Sequence, residues 1–158
     1  MYFHGSRKSF HVGFMLLAQP DGYVHCEDAI EFERVMDARR PQGLLSRFES
    51  VFLTKDPDLI DGAGGYIDVI YRVDPIGKAE ASDLYWYSEA YCEWVSEPKT
   101  LSRLHDLIDA YWSGKPAPFE ENSNIEYRVT QARVIAVHEL NVEAGELEEV
   151  YASAGIAI

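Results

Sequence analysis

Tyr66-Ile67-Asp68-Val69-Ile70-Tyr71-Arg72-Val73 is the strongest strand signal in the chain, dense in β-branched and aromatic residues. Asp74-Pro75-Ile76-Gly77 reads as the turn that leaves it. Four other short runs read as strands: Met1 to His4, Ser50 to Thr54, Ile125 to Val129 and Arg133 to Leu140. Between these runs the period changes. Glu27 to Arg39 sets Ile30, Phe32, Val35 and Met36 among charges and predicts a helix. Thr100 to Trp112 carries Leu101, Leu104, Leu107, Ile108 and Tyr111 at helical spacing, and Ser113-Gly114-Lys115-Pro116 stops it. Val12-Gly13 and Gln19-Pro20-Asp21-Gly22 read as turns on either side of Phe14-Met15-Leu16-Leu17. A short helical turn is expected from Asp56-Pro57 to Gly62, ended by Gly64 and Gly65. Glu143 to Ala154 reads as an acidic helix before the apolar tail Gly155-Ile156-Ala157-Ile158. Strands toward both ends with helices between them predict one α+β domain over residues 1–158.

The chain has 158 residues, 47% of them hydrophobic, enough for a core of its own. No stretch reaches the roughly 18 to 20 apolar residues that span a bilayer. Phe14 to Ala18 is too short for the apolar region of a signal peptide, so a cytoplasmic location is expected. Cys26 and Cys92 have no zinc spacing, and a disulfide between them is not expected in a reducing compartment. The formal charge of −13 disfavours a nucleic-acid partner. It still permits one anionic cofactor held by a few local arginines and backbone N–H groups. Oligomeric state is left open.

Three segments carry the chemistry. The first is Tyr2-Phe3-His4-Gly5-Ser6-Arg7. The second runs through Val51-Phe52-Leu53-Thr54 and Asp56-Pro57 to Ala63-Gly64-Gly65-Tyr66. The third is Ile125-Glu126-Tyr127-Arg128-Val129, then Gln131 and the strand that begins at Arg133. In this order they resemble the ADP-ribosyltransferase superfamily, in the branch with a His, aromatic, Glu or Asp triad. His-Gly-Ser-Arg and Glu-Tyr are similar to the poly(ADP-ribose) polymerase catalytic domain. Ile70-Tyr71-Arg72-Val73-Asp74-Pro75-Ile76-Gly77-Lys78-Ala79-Glu80 is closer to a string in the small bacterial rifampin ADP-ribosyltransferases. The resemblance covers most of the chain. Residues 20–48 and 84–124 match poorly, and the latter reads as an insertion carrying a helix.

What the resemblance implies is a split β-sheet core with short flanking helices, and NAD as a substrate. Breaking the glycosidic bond of NAD passes through an oxocarbenium-like state. In such a site His4 holds the ribose on the adenosine side, and the backbone of Gly5 pairs with the nicotinamide amide. Ser6, Phe52 and Thr54 complete the cofactor contacts, and Tyr66 offers a face to the nicotinamide ring. A carboxylate stabilises the reacting ribose and orients or deprotonates the acceptor. Nicotinamide leaves as a neutral group, so no metal is required.

Two positions depart from the pattern. Phe52 stands where the family has a tyrosine, which keeps a face for stacking but removes a hydroxyl. The carboxylate has two readings: Glu126 by its place before the last long strand, or Asp83 (with Glu80 beside it) by its place after the Pro-x-Gly turn. Plainer readings stand beside these. His4 alone reads as a strand-end histidine in a hydrogen bond, and Tyr66 as the start of a strand. Asp83 reads as a helix cap, with Ser82 as a rival. Glu126 reads as a solvent-facing residue if Ile125, Tyr127 and Val129 form the buried set. The aromatic run Tyr85, Trp86, Tyr87, Tyr91 and Trp94 lines an acceptor pocket or packs the insertion onto the sheet.

The expected function is mono-ADP-ribosyl transfer from NAD to a small molecule such as a rifamycin, or to a protein or nucleotide. A non-catalytic NAD- or partner-binding module on the same fold is the alternative. RNA 2′-phosphotransfer, which occurs on a related fold, calls for a basic surface that this composition lacks.

Overall fold

The computed structural model describes residues 1–18, 27–63 and 65–141. The turn Gln19 to Gly22, Cys26, Gly64, the acidic helix and the apolar tail lie outside the described residues. The chain is α+β, with three α-helices and two antiparallel sheets among the described residues. The strands are β1 (Tyr2–Ser6), β2 (Met15–Leu17), β3 (Val51–Leu53), β4 (Val69–Ile76), β5 (Glu80–Asp83), β6 (Ile125–Val129) and β7 (Gln131–Leu140). The helices are α1 (Glu27–Ala38), α2 (Leu84–Val95) and α3 (Leu101–Trp112). None of them is long and apolar enough to cross a membrane.

One sheet has the order β1-β4-β7-β2 and the other β3-β6-β5. The chain crosses between them at two tight places. Only Thr130 separates β6 from β7, and Gly77, with φ of 88°, turns β4 into β5. A third tie is the bridge between Phe3 and Thr54, whose backbones exchange hydrogen bonds of 2.8 and 3.0 Å. The inner faces pack Leu16, Val69, Tyr71, Val73, Ala132 and Val134 of the first sheet against Val51, Leu53 and Val129 of the second. The three helices form a separate apolar layer around Phe32, Met36, Trp86, Leu104, Ile108 and Trp112.

The strongest strand starts three residues later than its composition suggests, at Val69, and runs through Pro75 to Ile76. Proline is tolerated there because β1 pairs β4 only up to Val73, so Pro75 has an edge-like position. β7 sets ten residues against the eight of β4, and the surplus appears as two register shifts, which skip His138 and Ile135. Three elements have little sequence signal. β2 is three residues long, and β5 (Glu-Ala-Ser-Asp) has poor strand propensity and is fixed by pairing with β6. α2 is the aromatic run itself, and its rings pack against Phe32 of α1 and the apolar face of α3.

Candidate functional site

A cavity of about 880 Å³ opens beside the junction of the two sheets. Its lining includes His4, Gly5 and Ser6 from β1, Phe52 and Thr54 from β3 and its end, Tyr66, and Glu126 from β6. The three segments quoted above thus meet at one place. The Phe3–Thr54 bridge brings the first two together, and the pairing of β3 with β6 adds the third.

His4 is tied down by the second segment. Its Nδ1 lies 2.9 Å from the carbonyl oxygen of Phe52. A carbonyl only accepts, so Nδ1 carries the proton and donates. Burial lowers the imidazole pKa below its usual 6.5, against a smaller upward push from the Phe52 carbonyl, which keeps the ring neutral. A neutral ring protonated at Nδ1 presents a lone pair at Nε2.

Gly5 is required by a close approach. A Cβ at this position would lie 2.0 Å from the carbonyl oxygen of Tyr66 and 2.7 Å from Cγ2 of Ile60. The missing side chain therefore lets the Tyr66 segment cross β1 at the cavity. Arg7 places its guanidinium 4.2 Å from the centre of the Tyr66 ring. The Ser6 hydroxyl accepts from the backbone of Lys8 at 2.8 Å. Thr54 ties its hydroxyl to the backbone of Asp56 at 3.1 Å, closing the turn in which Asp56 caps the next helical turn. Among the described residues of the lining, Arg7 and Lys8 are basic and Glu126 is acidic. Phe10 and Phe14, stacked with centroids 4.7 Å apart, give the cavity an apolar wall together with Met15 and Leu17.

Glu126 does not face solvent. β6 turns Glu126 and Arg128 toward the helices, and both are buried. Strand pairing puts Phe52, Glu80 and Ser82 on the same face. The helical layer covers that face, and a buried polar network fills the gap. Arg47, in the helical turn before β3, donates to Glu33 of α1 at 2.9 Å and also to Glu126. The Tyr111 hydroxyl of α3 lies 2.7 Å from Arg47 and also bonds Glu126 and Arg128. Tyr87 of α2 donates to Glu33 at 2.8 Å, and Arg128 donates to Ser82 at 2.9 Å. The Arg47 guanidinium also stands 4.7 Å from the Phe52 ring centre and 4.5 Å from that of Tyr87.

Asp83 stands apart from the cavity lining. Its carboxylate caps α2 through Tyr85 N–H and accepts from Ala117 N–H, the Ser123 hydroxyl and Asn124 N–H, at 2.7 to 3.1 Å. Burial pushes its pKa up, but these four bonds outweigh it and hold the group below its usual value. Glu80 accepts from the backbone of Leu45 at 2.8 Å and sits 3.8 Å from Arg128. The rings of the aromatic run pack between helices rather than along the cavity.

Arg47, Tyr111 and Glu33 carried no functional signal in the sequence, and Tyr87 stood out only as part of the aromatic run. A cue existed for Glu33, which lies next to Phe32 and three residues before Met36, on the buried side of α1. A scan of protein families returns no match for this chain, and a search of curated proteins finds none that matches.

Proposed function

We propose that the chain is an NAD-dependent mono-ADP-ribosyltransferase. The observation that carries the reading is the convergence of His4, Gly5, Tyr66, Phe52 and Glu126, from three distant segments, on one cavity. The Nε2 lone pair of His4 accepts from a ribose hydroxyl on the adenosine side. The backbone of Gly5 pairs with the carboxamide of nicotinamide, and Tyr66 or Phe52 stacks on its ring. Arg7 and Lys8 supply positive charge for the pyrophosphate in a chain that is otherwise acidic. The bond between the ribose C1′ and the nicotinamide nitrogen breaks, and the electron pair leaves with nicotinamide. The acceptor oxygen forms the new bond to C1′, and its proton passes to Glu126 or to water. The acceptor is a hydroxyl on a small molecule such as a rifamycin, or a group on a protein or nucleotide. The Phe10–Phe14 wall suits an acceptor with an apolar body.

A second reading, an NAD-binding module without turnover, is favoured by two observations. Phe52 brings no hydroxyl, and Oε1 of Glu126 already accepts from Arg47 and Tyr111. The test is nicotinamide release from NAD by the purified protein, with and without rifampin, alongside His4→Ala and Glu126→Gln. Release that depends on both residues supports the enzyme. No release, with NAD still raising Tm, supports the binding module.

A further inference from the structure

Glu126 is one of the residues that line the cavity, and its hydrogen-bond partners, Arg47 and Tyr111, come from outside the three segments, while Arg128 of its own strand stands 3.7 Å away. The Tyr111 hydroxyl has three partners: Arg47, Arg128 and Glu126. A hydroxyl has one proton to give and two lone pairs. Both guanidinium groups can only donate, so they occupy the lone pairs. The one proton of Tyr111 must therefore point at Glu126. Burial pushes the Tyr111 pKa far above its usual 10, so this proton stays in place at any working pH. Oε1 of Glu126 then accepts from two fixed donors, Tyr111 and Arg47.

Arg47 is itself fixed from two directions. Glu33 accepts from its Nε through both carboxylate oxygens, at 2.9 and 3.1 Å, and Tyr87 braces Glu33. Its guanidinium plane meets the rings of Phe52 and Tyr87. Arg47 thus touches both the carboxylate and the aromatic ring that the site presents to the cavity.

We infer that Arg47 and Tyr111 are the positioning residues of this site, and that together they set the orientation of the Glu126 carboxylate for the reacting ribose. The inference rests on the transferase reading. It makes the helical layer, including residues 84–124, part of the catalytic apparatus. Neither residue lines the cavity, so neither contacts bound NAD. Their loss therefore acts on turnover rather than on binding.

The experiment measures nicotinamide release against NAD concentration for the wild type, Tyr111→Phe and Arg47→Lys. Tyr111→Phe removes one oxygen from a site of nearly unchanged volume, and Arg47→Lys keeps the charge but loses the fork that reaches Glu33 and Glu126 together. The expected result is a kcat lower by about 10- to 100-fold in each, as for other loss of support to a reactive group. The KM for NAD is expected to stay within about threefold, and the NAD-induced rise in Tm to survive, because binding energy common to ground and transition states is untouched. A merely structural role would lower Tm and leave the kcat of the folded fraction unchanged. Wild-type turnover that persists in both variants within about twofold, or a rise in KM alone, overturns the inference and leaves the transferase reading standing. A wild-type chain that releases no nicotinamide overturns both. If one variant does not fold, the other decides.

Discussion

The imidazole of His4 donates its Nδ1 proton to the carbonyl of Phe52, linking the first segment of the site to the second. The bond fixes both the tautomer and the direction of Nε2. It also gives His4 a pH signature. The folded-state pKa lies below the usual 6.5, chiefly because burial disfavours the charged ring. Above about pH 6.5 the ring is neutral in both folded and unfolded chains, and the full stability is present. As pH falls below that value, the unfolded chain takes up the proton first, and stability is lost until the folded pKa is reached. Tm of the wild type is expected to fall more steeply from about pH 7.5 to about pH 5.5 than Tm of His4→Gln, which keeps a donor for Phe52. Parallel Tm profiles for the two proteins would contradict this.

Gly5 is expected to refuse even a methyl group. The new Cβ would meet the carbonyl oxygen of Tyr66 at 2.0 Å, and backbone cannot step aside as a flexible side chain does. Gly5→Ala should lower stability by about 1–3 kcal/mol in a urea titration, the usual cost of overpacking. NAD should no longer raise Tm, because β1 and the Tyr66 segment must separate. A Gly5→Ala variant that unfolds with wild type and still responds to NAD would show that the close approach is not needed.

The sequence carried the strands at residues 125–129 and 133–140, and the helices from 27 and from 100, because their composition or period is regular and Pro- and Gly-containing breakers end the helices. The same reasoning missed β5, whose Glu-Ala-Ser-Asp composition becomes a strand only through Arg128 and β6. It also left the direction of β6 open. Ile125, Tyr127 and Val129 read as the buried set with Glu126 facing water, which is correct only for a sheet with one covered face. Here the second face is covered by helices, and Glu126 and Arg128 are buried with Arg47 and Tyr111 as partners. Local sequence holds no record of a layer that arrives from residues 27–38 and 84–112. For that reason His4, Gly5 and Phe52 were legible as residues of the candidate site, and they line the cavity, while Arg47 and Tyr111 were not legible.

Asp83 and Glu126 are separable by experiment. Asp83 accepts four hydrogen bonds that hold the start of α2 against residues 117–124. Asp83→Ala removes a helix cap and leaves donors unsatisfied, so a loss of at least about 2 kcal/mol is expected by chemical denaturation. Its lowered pKa adds stability that is present above the unfolded value of 3.8 and lost as pH falls through the folded one. The acid unfolding limb should accordingly flatten in the variant. Nicotinamide release per folded molecule should stay near wild type. Glu126→Gln should do the reverse, with release abolished and the NAD-induced shift in Tm retained. Loss of release in Asp83→Ala at a temperature where the variant is fully folded would move the proposed role of the carboxylate from Glu126 to Asp83.

Glu33 gives the last prediction, because it is buried, far in sequence from the cavity segments, and bonded to Arg47 at 2.9 Å. Removing Glu33 takes away one of the two carboxylates that neutralise buried Arg47, and with it the acceptor of the Tyr87 hydroxyl, a cost of about 1–3 kcal/mol for each buried group that loses this partner. Glu33→Ala should therefore be among the most destabilising single changes in the helical layer, measured by denaturant midpoint. Glu33→Gln keeps an acceptor for Arg47 and for the Tyr87 hydroxyl, so it should recover part of that loss. The pair also reports on cooperativity. Arg47 bonds Glu33 and Glu126 at once, so the double variant Glu33→Gln with Glu126→Gln should lose more or less stability than the sum of the singles, by at least about 0.5 kcal/mol. Strict additivity would mean that α1 and β6 hold Arg47 independently, and that the helical layer does not communicate with the carboxylate in the cavity.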